Sequence, residues 1–151
     1  MKKINSMNIR ITKEFNFEAA HALDGYNGKC KDIHGHSYKL KITFIGTPKQ
    51  DKKLSECGMV EDFGTIKNIV KQKVYNLFDH RLILRKDSRF IKIREINDRI
   101  RLVDYQPTCE NMLAEIVDIL QNNKPENAKL VSVFLRETPN SYAEWFETDN
   151  N

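Results

Sequence analysis

HGHSYKLKITFI, residues 34–45, alternates in hydropathy for most of its length. Tyr38, Leu40, Ile42 and Phe44 fall on one parity, and Lys39, Lys41 and Thr43 on the other. Side chains two apart in an extended chain share a face, so the stretch predicts a half-buried strand. Its start is irregular: two histidines flank a glycine, and neither residue type favours a strand. Upstream, residues 9–21 alternate in the same way. Ile9, Ile11, Phe15, Phe17 and Ala19 oppose Arg10, Thr12, Glu14, Asn16 and Glu18, with Lys13 as the exception. The turn-rich DGYNGK, residues 24–29, separates the two runs, which predicts an antiparallel pair.

Further along, the period changes. Phe63, Ile66, Ile69, Val70, Val74, Leu77 and Phe78 recur at helical spacing over residues 62–78. A second helix is expected after Pro107, with Thr108 as N-cap, Glu110 in its first turn, and Met112, Leu113, Ile116, Val117 and Leu120 as its apolar stripe. KLVSVFLRE, residues 129–137, reads as a strand, and SYAEWF, residues 141–146, as its hairpin partner. The order ββααββ predicts an α+β domain over residues 1–151, a four-stranded antiparallel sheet with two helices on one face. Residues 85–104 hold seven basic and four acidic side chains, with apolar positions that fit a short helix and then a short strand. We read them as a solvated insertion.

Composition narrows the function. With 151 residues, 40% hydrophobic and 30% charged, the chain can bury a core and reads as a globular protein. A net charge of +4 is too small and too well mixed for a nucleic-acid binder, though it suits a polyanionic small substrate. The N-terminal lysines precede no apolar run, so neither a signal peptide nor a membrane span is expected. Three cysteines, Cys30, Cys57 and Cys109, argue against a disulfide framework, and a cytoplasmic setting is expected.

The histidines follow the parity. His34 and His36 share the face of Tyr38 and Leu40, and His21 shares that of Phe17 and Ala19. Two imidazoles about 6.6 Å apart along one strand can converge on a metal ion. His21 on the paired strand would complete a set of three nitrogens. Three histidines with one open position are the ligands of a catalytic zinc site, whereas structural zinc is closed by four protein ligands. With Cys30 as a fourth ligand the site would be of the closed kind, and sequence alone leaves both open. Cys30 can also be read as a base whose thiolate is favoured by the metal and by Lys29 and Lys31. Asp79 and His80, at the end of the first helix, fit a proton relay or a plain helix terminus. Glu137 shares the parity of Val131, Val133 and Leu135, which puts a carboxylate on an apolar face. Two adjacent N–H donors of a 2-amino-4-oxo pyrimidine edge would satisfy it. A glutamate emerging at a strand end is the alternative.

FNFEAAHAL, CKDIHGH, GMVEDFGTIK, LFDHRLIL, PTCENMLAEI and FLRETPNSYAEW, in that order, resemble the 6-pyruvoyltetrahydropterin synthase / 6-carboxytetrahydropterin synthase family over nearly the whole chain. The resemblance implies the tunnelling fold and a homohexamer of two trimers with active sites between subunits. It implies Zn2+ held by His21, His34 and His36, with Cys30, Asp79 and His80 moving protons. It gives Glu137 the pterin's amino-pyrimidine edge and Thr108 a place in the pterin pocket. The implied substrate is 7,8-dihydroneopterin triphosphate. The short gap from Cys30 to His34 resembles the branch that forms 6-carboxytetrahydropterin, acetaldehyde and triphosphate on the route to queuosine. The branch that keeps the side chain as 6-pyruvoyltetrahydropterin is the alternative, and a non-catalytic zinc module is a second.

Overall fold

A computed structural model describes residues 7–151. The reading of the N-terminal lysines falls on residues 1–6 and lies outside the described residues. The long alternating runs become β1 (Ile9–His21) and β2 (His34–Gly46), antiparallel in an unbroken register from Ile9 opposite Gly46 to His21 opposite His34. Strands β5 (Lys129–Thr138) and β6 (Ser141–Phe146) extend the sheet antiparallel beyond β2. The expected strands and both helices are therefore present, and the architecture is α+β.

The sheet is larger than the four antiparallel strands expected. With β3 (Arg81–Arg85) and β4 (Ile100–Val103) added, its order is β4-β3-β1-β2-β5-β6, and the two added strands pair in parallel, which makes it mixed. Strand β3 joins the end of β1, and β4 joins β3. Residues 85–104 are therefore not the solvated insertion expected. Most of their charges are exposed, Arg101 against Glu115 being largely covered, but Phe90, Ile93, Ile100 and Leu102 pack on buried Ala22, Leu82 and Leu84 to form a second small core. A short run whose apolar residues alternate with arginines gives little sign of such a partner.

One helical segment spans the main core. Asp62 caps it, its Oδ1 accepting the Gly64 N–H at 2.6 Å. Helix α1 (Phe63–Ile69) continues as a π-helical segment, Val70–Tyr75, and ends in one α-turn, Asn76–Phe78. Ile66, Val70, Val74 and Phe78, all at most 1% exposed, are spaced by four. A spacing of four overruns a turn of 3.6 residues, and the wider i→i+5 turn keeps all four on the sheet. Phe63 lies beyond that face and is exposed, with the Lys13 ammonium 5.7 Å from its ring centroid. That contact explains the odd parity of Lys13, whose stem crosses apolar surface at the open end of the sheet. Helix α2 (Cys109–Asn123) starts as expected, Thr108 accepting from the Asn111 N–H at 3.2 Å, and buries its predicted stripe.

Between helices and sheet lie Phe15, Phe17, Tyr38, Leu40, Ile42 and Phe44, with Phe17 stacked on Tyr38 at 5.1 Å. Truncating an aromatic residue in such a core costs about 3–5 kcal/mol. On β5 the inward residues are Leu130, Val133 and Leu135, not Val131. The register with β2 shifts between Thr43 and Phe44, so Val131 is an unpaired extra residue. The parity argument for Glu137 therefore holds only from Val133 onward.

Candidate active site and metal centre

Register builds the first part of the site. His21 and His34 are directly paired, and His36 sits one step along the same face, opposite Ala19. Gly35, between them, lies opposite Ala20, and a Cβ there would meet the Ala19 carbonyl oxygen at 3.3 Å. The ligand atoms of the three imidazoles lie within 4.8 Å of one another.

Two backbone carbonyls settle the tautomers. His21 Nδ1 lies 2.6 Å from the Pro107 oxygen, and His34 Nδ1 lies 2.7 Å from the Asp32 oxygen. A carbonyl only accepts, so each Nδ1 carries the hydrogen and each Nε2 keeps its lone pair. Those two Nε2 atoms face each other at 2.9 Å. Between neutral rings so fixed no hydrogen is left to share, and the contact is repulsive without a cation. His36 Nε2 is buried with no hydrogen-bond partner. Burial lowers the pKa of His21 and of His36, an effect that Glu137 opposes. Neutral imidazoles with convergent lone pairs, the Nδ1–H of His21 and His34 spent on backbone carbonyls, are what a metal ion asks of histidine ligands. The residues therefore fit a zinc-like ion. Among the described residues Cys30 does not join the group, which leaves three nitrogens and an open position.

A cavity of about 270 Å3 adjoins the cluster, and His21, Cys30, Thr108 and Glu137 all line it. Cys30 sits in a single 3-10 turn, Lys29–Lys31, on a strap closed by the Leu23 N–H donating to its carbonyl at 2.9 Å. The segment 85–104 pins that strap. Arg89 donates to the Lys31 carbonyl and to Asp32 Oδ1, both at 2.8 Å, and the Asp32 carbonyl in turn holds His34. Glu137 Oε1 accepts the Tyr38 hydroxyl at 3.1 Å and lies 3.5 Å from His21 Nε2. Burial, then the charge of Glu137, holds that hydroxyl protonated well above the usual phenol range, so it stays a donor.

The structure does not bring every candidate together. Asp79 and His80 do not line the Cys30 cavity. They sit at the start of β3, His80 Nδ1 being 3.0 Å from Asp79 Oδ1 with the His80 ring largely exposed. His80 has φ 56°, the left-handed region that non-glycine residues seldom adopt. Its N–H donates to the Glu18 carbonyl at 2.6 Å, and Asp79 Oδ1 accepts the Glu18 N–H at 3.1 Å. The pair is thus tied to β1 by two hydrogen bonds, outside the cavity that Cys30 lines. Tyr38, Tyr26 and Tyr142 are additions that the sequence reading missed, and Cys109 lines the cavity too. Tyr38 was accessible by parity, being next on the face of His34 and His36. Cys109, beside Glu137, has its thiol pushed up to about 12 by burial and then by that carboxylate, which marks it as an inert neighbour.

Known proteins bear on this arrangement. Residues 10–148 match the family model of 6-pyruvoyl tetrahydropterin synthase. A 6-carboxy-5,6,7,8-tetrahydropterin synthase of Haemophilus influenzae is 34% identical over 143 residues, covering 91% of this chain and 99% of that protein. One of Rickettsia typhi is 36% identical over 141 residues, covering 90% and 99%. The solved 6-pyruvoyl tetrahydropterin synthase of Caenorhabditis elegans superposes with a TM-score of 0.67 at 23% identity, over 93% of this chain and 96% of that one, which speaks to fold alone. Among the described residues no helix is long and apolar enough to cross a membrane.

Proposed function

The chain belongs to the 6-pyruvoyl tetrahydropterin synthase family and has its tunnelling fold, and on that premise we propose that it is a zinc-dependent 6-carboxy-5,6,7,8-tetrahydropterin synthase. With one water, it converts 7,8-dihydroneopterin triphosphate to 6-carboxytetrahydropterin, acetaldehyde and triphosphate, a lyase reaction on the route to queuosine. Residues 1–151 form one domain. The observation that carries the reading is the trio of imidazoles, their ligand atoms within 4.8 Å of one another, at the edge of a cavity that Cys30 and Glu137 also line.

His21, His34 and His36 would hold the zinc. When bound there it supplies Lewis acidity toward the substrate's side-chain hydroxyls, lowering their pKa and that of the adjacent C–H. The chain's own residues do the rest. Glu137 accepts two N–H bonds from the pterin's amino-pyrimidine edge, its other contact fixed by Tyr38. Thr108 closes the same pocket. Cys30, on its pinned strap, takes a proton from the side-chain carbon. Asp79 orients His80, which carries a proton at its free ring nitrogen. Because Asp79 and His80 lie outside the cavity of their own chain, they act on a neighbouring copy, which fits a homohexamer with shared sites.

Incubation with 7,8-dihydroneopterin triphosphate, with pterin product and acetaldehyde followed together, tests this. Acetaldehyde with 6-carboxytetrahydropterin is expected. A 6-pyruvoyl product without acetaldehyde would move the chain to the other branch of its family. No product from zinc-replete protein would sink the catalytic reading.

A further inference from the structure

A second cavity, of about 430 Å3, opens on the other face of the sheet. Ala20, Gly35 and Ser37 line it, the residues that alternate away from the imidazoles on β1 and β2. His80, Arg81, Asn97 and Arg99 form another part of its wall, and Ala19, His36 and Leu82 border it as well. Glu18 is the one acid in the lining, and its Oε2 accepts the Ser37 hydroxyl at 2.7 Å.

The two arginines differ from three others nearby, and from Arg94, likewise without an ion pair among the described residues, in that they line this cavity. Arg85 pairs with Asp87, Arg89 with Asp32, and Arg101 with Glu115. Among the described residues, the guanidinium groups of Arg81 and Arg99 have neither an ion pair nor a hydrogen bond. Their backbones are nevertheless fixed. Arg81 is paired in the sheet opposite Ala19. Arg99 donates its N–H to Asn97 Oδ1 at 2.8 Å, and its carbonyl accepts the Leu82 N–H at 3.1 Å. Two permanent cations are thus held at one cavity without a counter-charge of their own.

A guanidinium presents five N–H donors in a planar fork that matches phosphate oxygens. A single carboxylate would satisfy one fork. Two forks, with the Asn97 amide N–H donors beside them, suit a ligand with several charges and many acceptors. We propose that Arg81 and Arg99 bind the phosphate chain of the substrate. The inference rests on the functional reading above, in which sites lie between copies. His36 also borders this cavity, but its Nε2 turns toward Glu137, 3.8 Å away and in the lining of the first cavity, so the phosphates arrive from a substrate seated on the neighbouring copy, on the side where His80 projects.

The test is calorimetric titration of the full chain with inorganic triphosphate, and separately with 7,8-dihydroneopterin, which lacks phosphates. The wild-type protein binds inorganic triphosphate, more weakly as salt rises. Arg99→Ala and Arg81→Gln each weaken that binding about tenfold or more, the worth of a charge-assisted contact. Neither changes binding of 7,8-dihydroneopterin. Arg94→Ala, an exposed arginine of the same segment that does not line this cavity, leaves both unchanged. Failure of the wild-type protein to bind inorganic triphosphate overturns the proposal. So does binding by both cavity variants at wild-type strength, or an equal loss in Arg94→Ala, which would mean diffuse charge alone. If inorganic triphosphate binding depends on the two arginines while the pterin triphosphate is not turned over, the anion site stands and the catalytic reading falls. If the pterin triphosphate is turned over while triphosphate binding ignores the two arginines, the anion site falls and the catalytic reading stands.

Discussion

Tyr38→Phe removes a single oxygen, and the structure says what that oxygen does. Tyr38 is 1% exposed, and its hydroxyl donates to Glu137 Oε1 at 3.1 Å. A hydrogen bond to a charged group is worth about 1.5–3 kcal/mol. The Glu137 side chain is 21% exposed, so water can replace part of what is lost. That brings the expected destabilisation to about 1–2 kcal/mol. For a chain of this length it corresponds to a fall in Tm of about 2–8 °C. Urea denaturation of metal-free protein reads the effect, and a double-mutant cycle with Glu137→Gln isolates the pair. The coupling should be about 1 kcal/mol, because the two groups touch. Affinity for the pterin should fall as well, since a Glu137 without its donor is no longer held in one rotamer. Unchanged stability together with a coupling under about 0.3 kcal/mol would mean that the hydroxyl does not hold the carboxylate, because that is the scatter of independent sites.

Three further outcomes are expected. Cys30→Ala should keep its metal and its fold, since Cys30 is outside the ligand group, while turnover falls by at least about a hundredfold, the low end for a lost acid–base group; normal turnover would remove the thiol from the chemistry. Arg89→Ala cuts the strap's ties to Lys31 and Asp32, an exposed pairing worth about 0–1 kcal/mol in stability, yet kcat should fall by up to about a hundredfold through misplacement of Cys30; Arg89→Lys should restore part of it, and a Tm loss without a kcat loss would make the tie merely structural. Metal-free protein should weaken in acid, because burial lowers the pKa of His21 and His36 from 6.5. The unfolded chain takes up those protons first, so this contribution is full above about pH 6.5 and is lost as pH falls through the lowered folded values. Urea midpoints between about pH 7.5 and about pH 5 should drop, and His36→Gln should flatten the slope. A slope that His36→Gln leaves unaltered would assign the acid sensitivity to other groups.

Much of the fold was legible because a period of two is hard to imitate. Residues 9–21 and 34–45 each keep one face apolar, and the same parity brought His21, His34 and His36 onto one face before any geometry was known. Parity fails where a residue is inserted, as at Val131, since a bulge moves every later side chain to the other face. Strand β3 was hidden, as was the sheet pairing of β4, the short strand that fits within residues 85–104, for a different reason. They pair in parallel, over three and four residue pairs, with partners distant in sequence, and arginines interrupt their apolar pattern. That Asp79 and His80 stand outside the cavity lined by Cys30 was not legible either, because the pair lies at the start of β3 and Cys30 on a strap between β1 and β2, 49 residues earlier than Asp79. Tyr38 was overlooked because its aromatic ring already explained its burial, and nothing local to it points to a carboxylate 99 residues away.

Everything proposed for catalysis depends on an open metal centre made of three imidazoles. X-ray absorption at the zinc edge of the purified protein reads its ligands without relying on turnover. About one zinc per chain is expected, with nitrogen and oxygen scatterers at about 2.0–2.1 Å and no sulfur shell. A sulfur scatterer at about 2.3 Å would make Cys30 a ligand and the site closed and structural. Protein that takes up no zinc at all would contradict the centre itself.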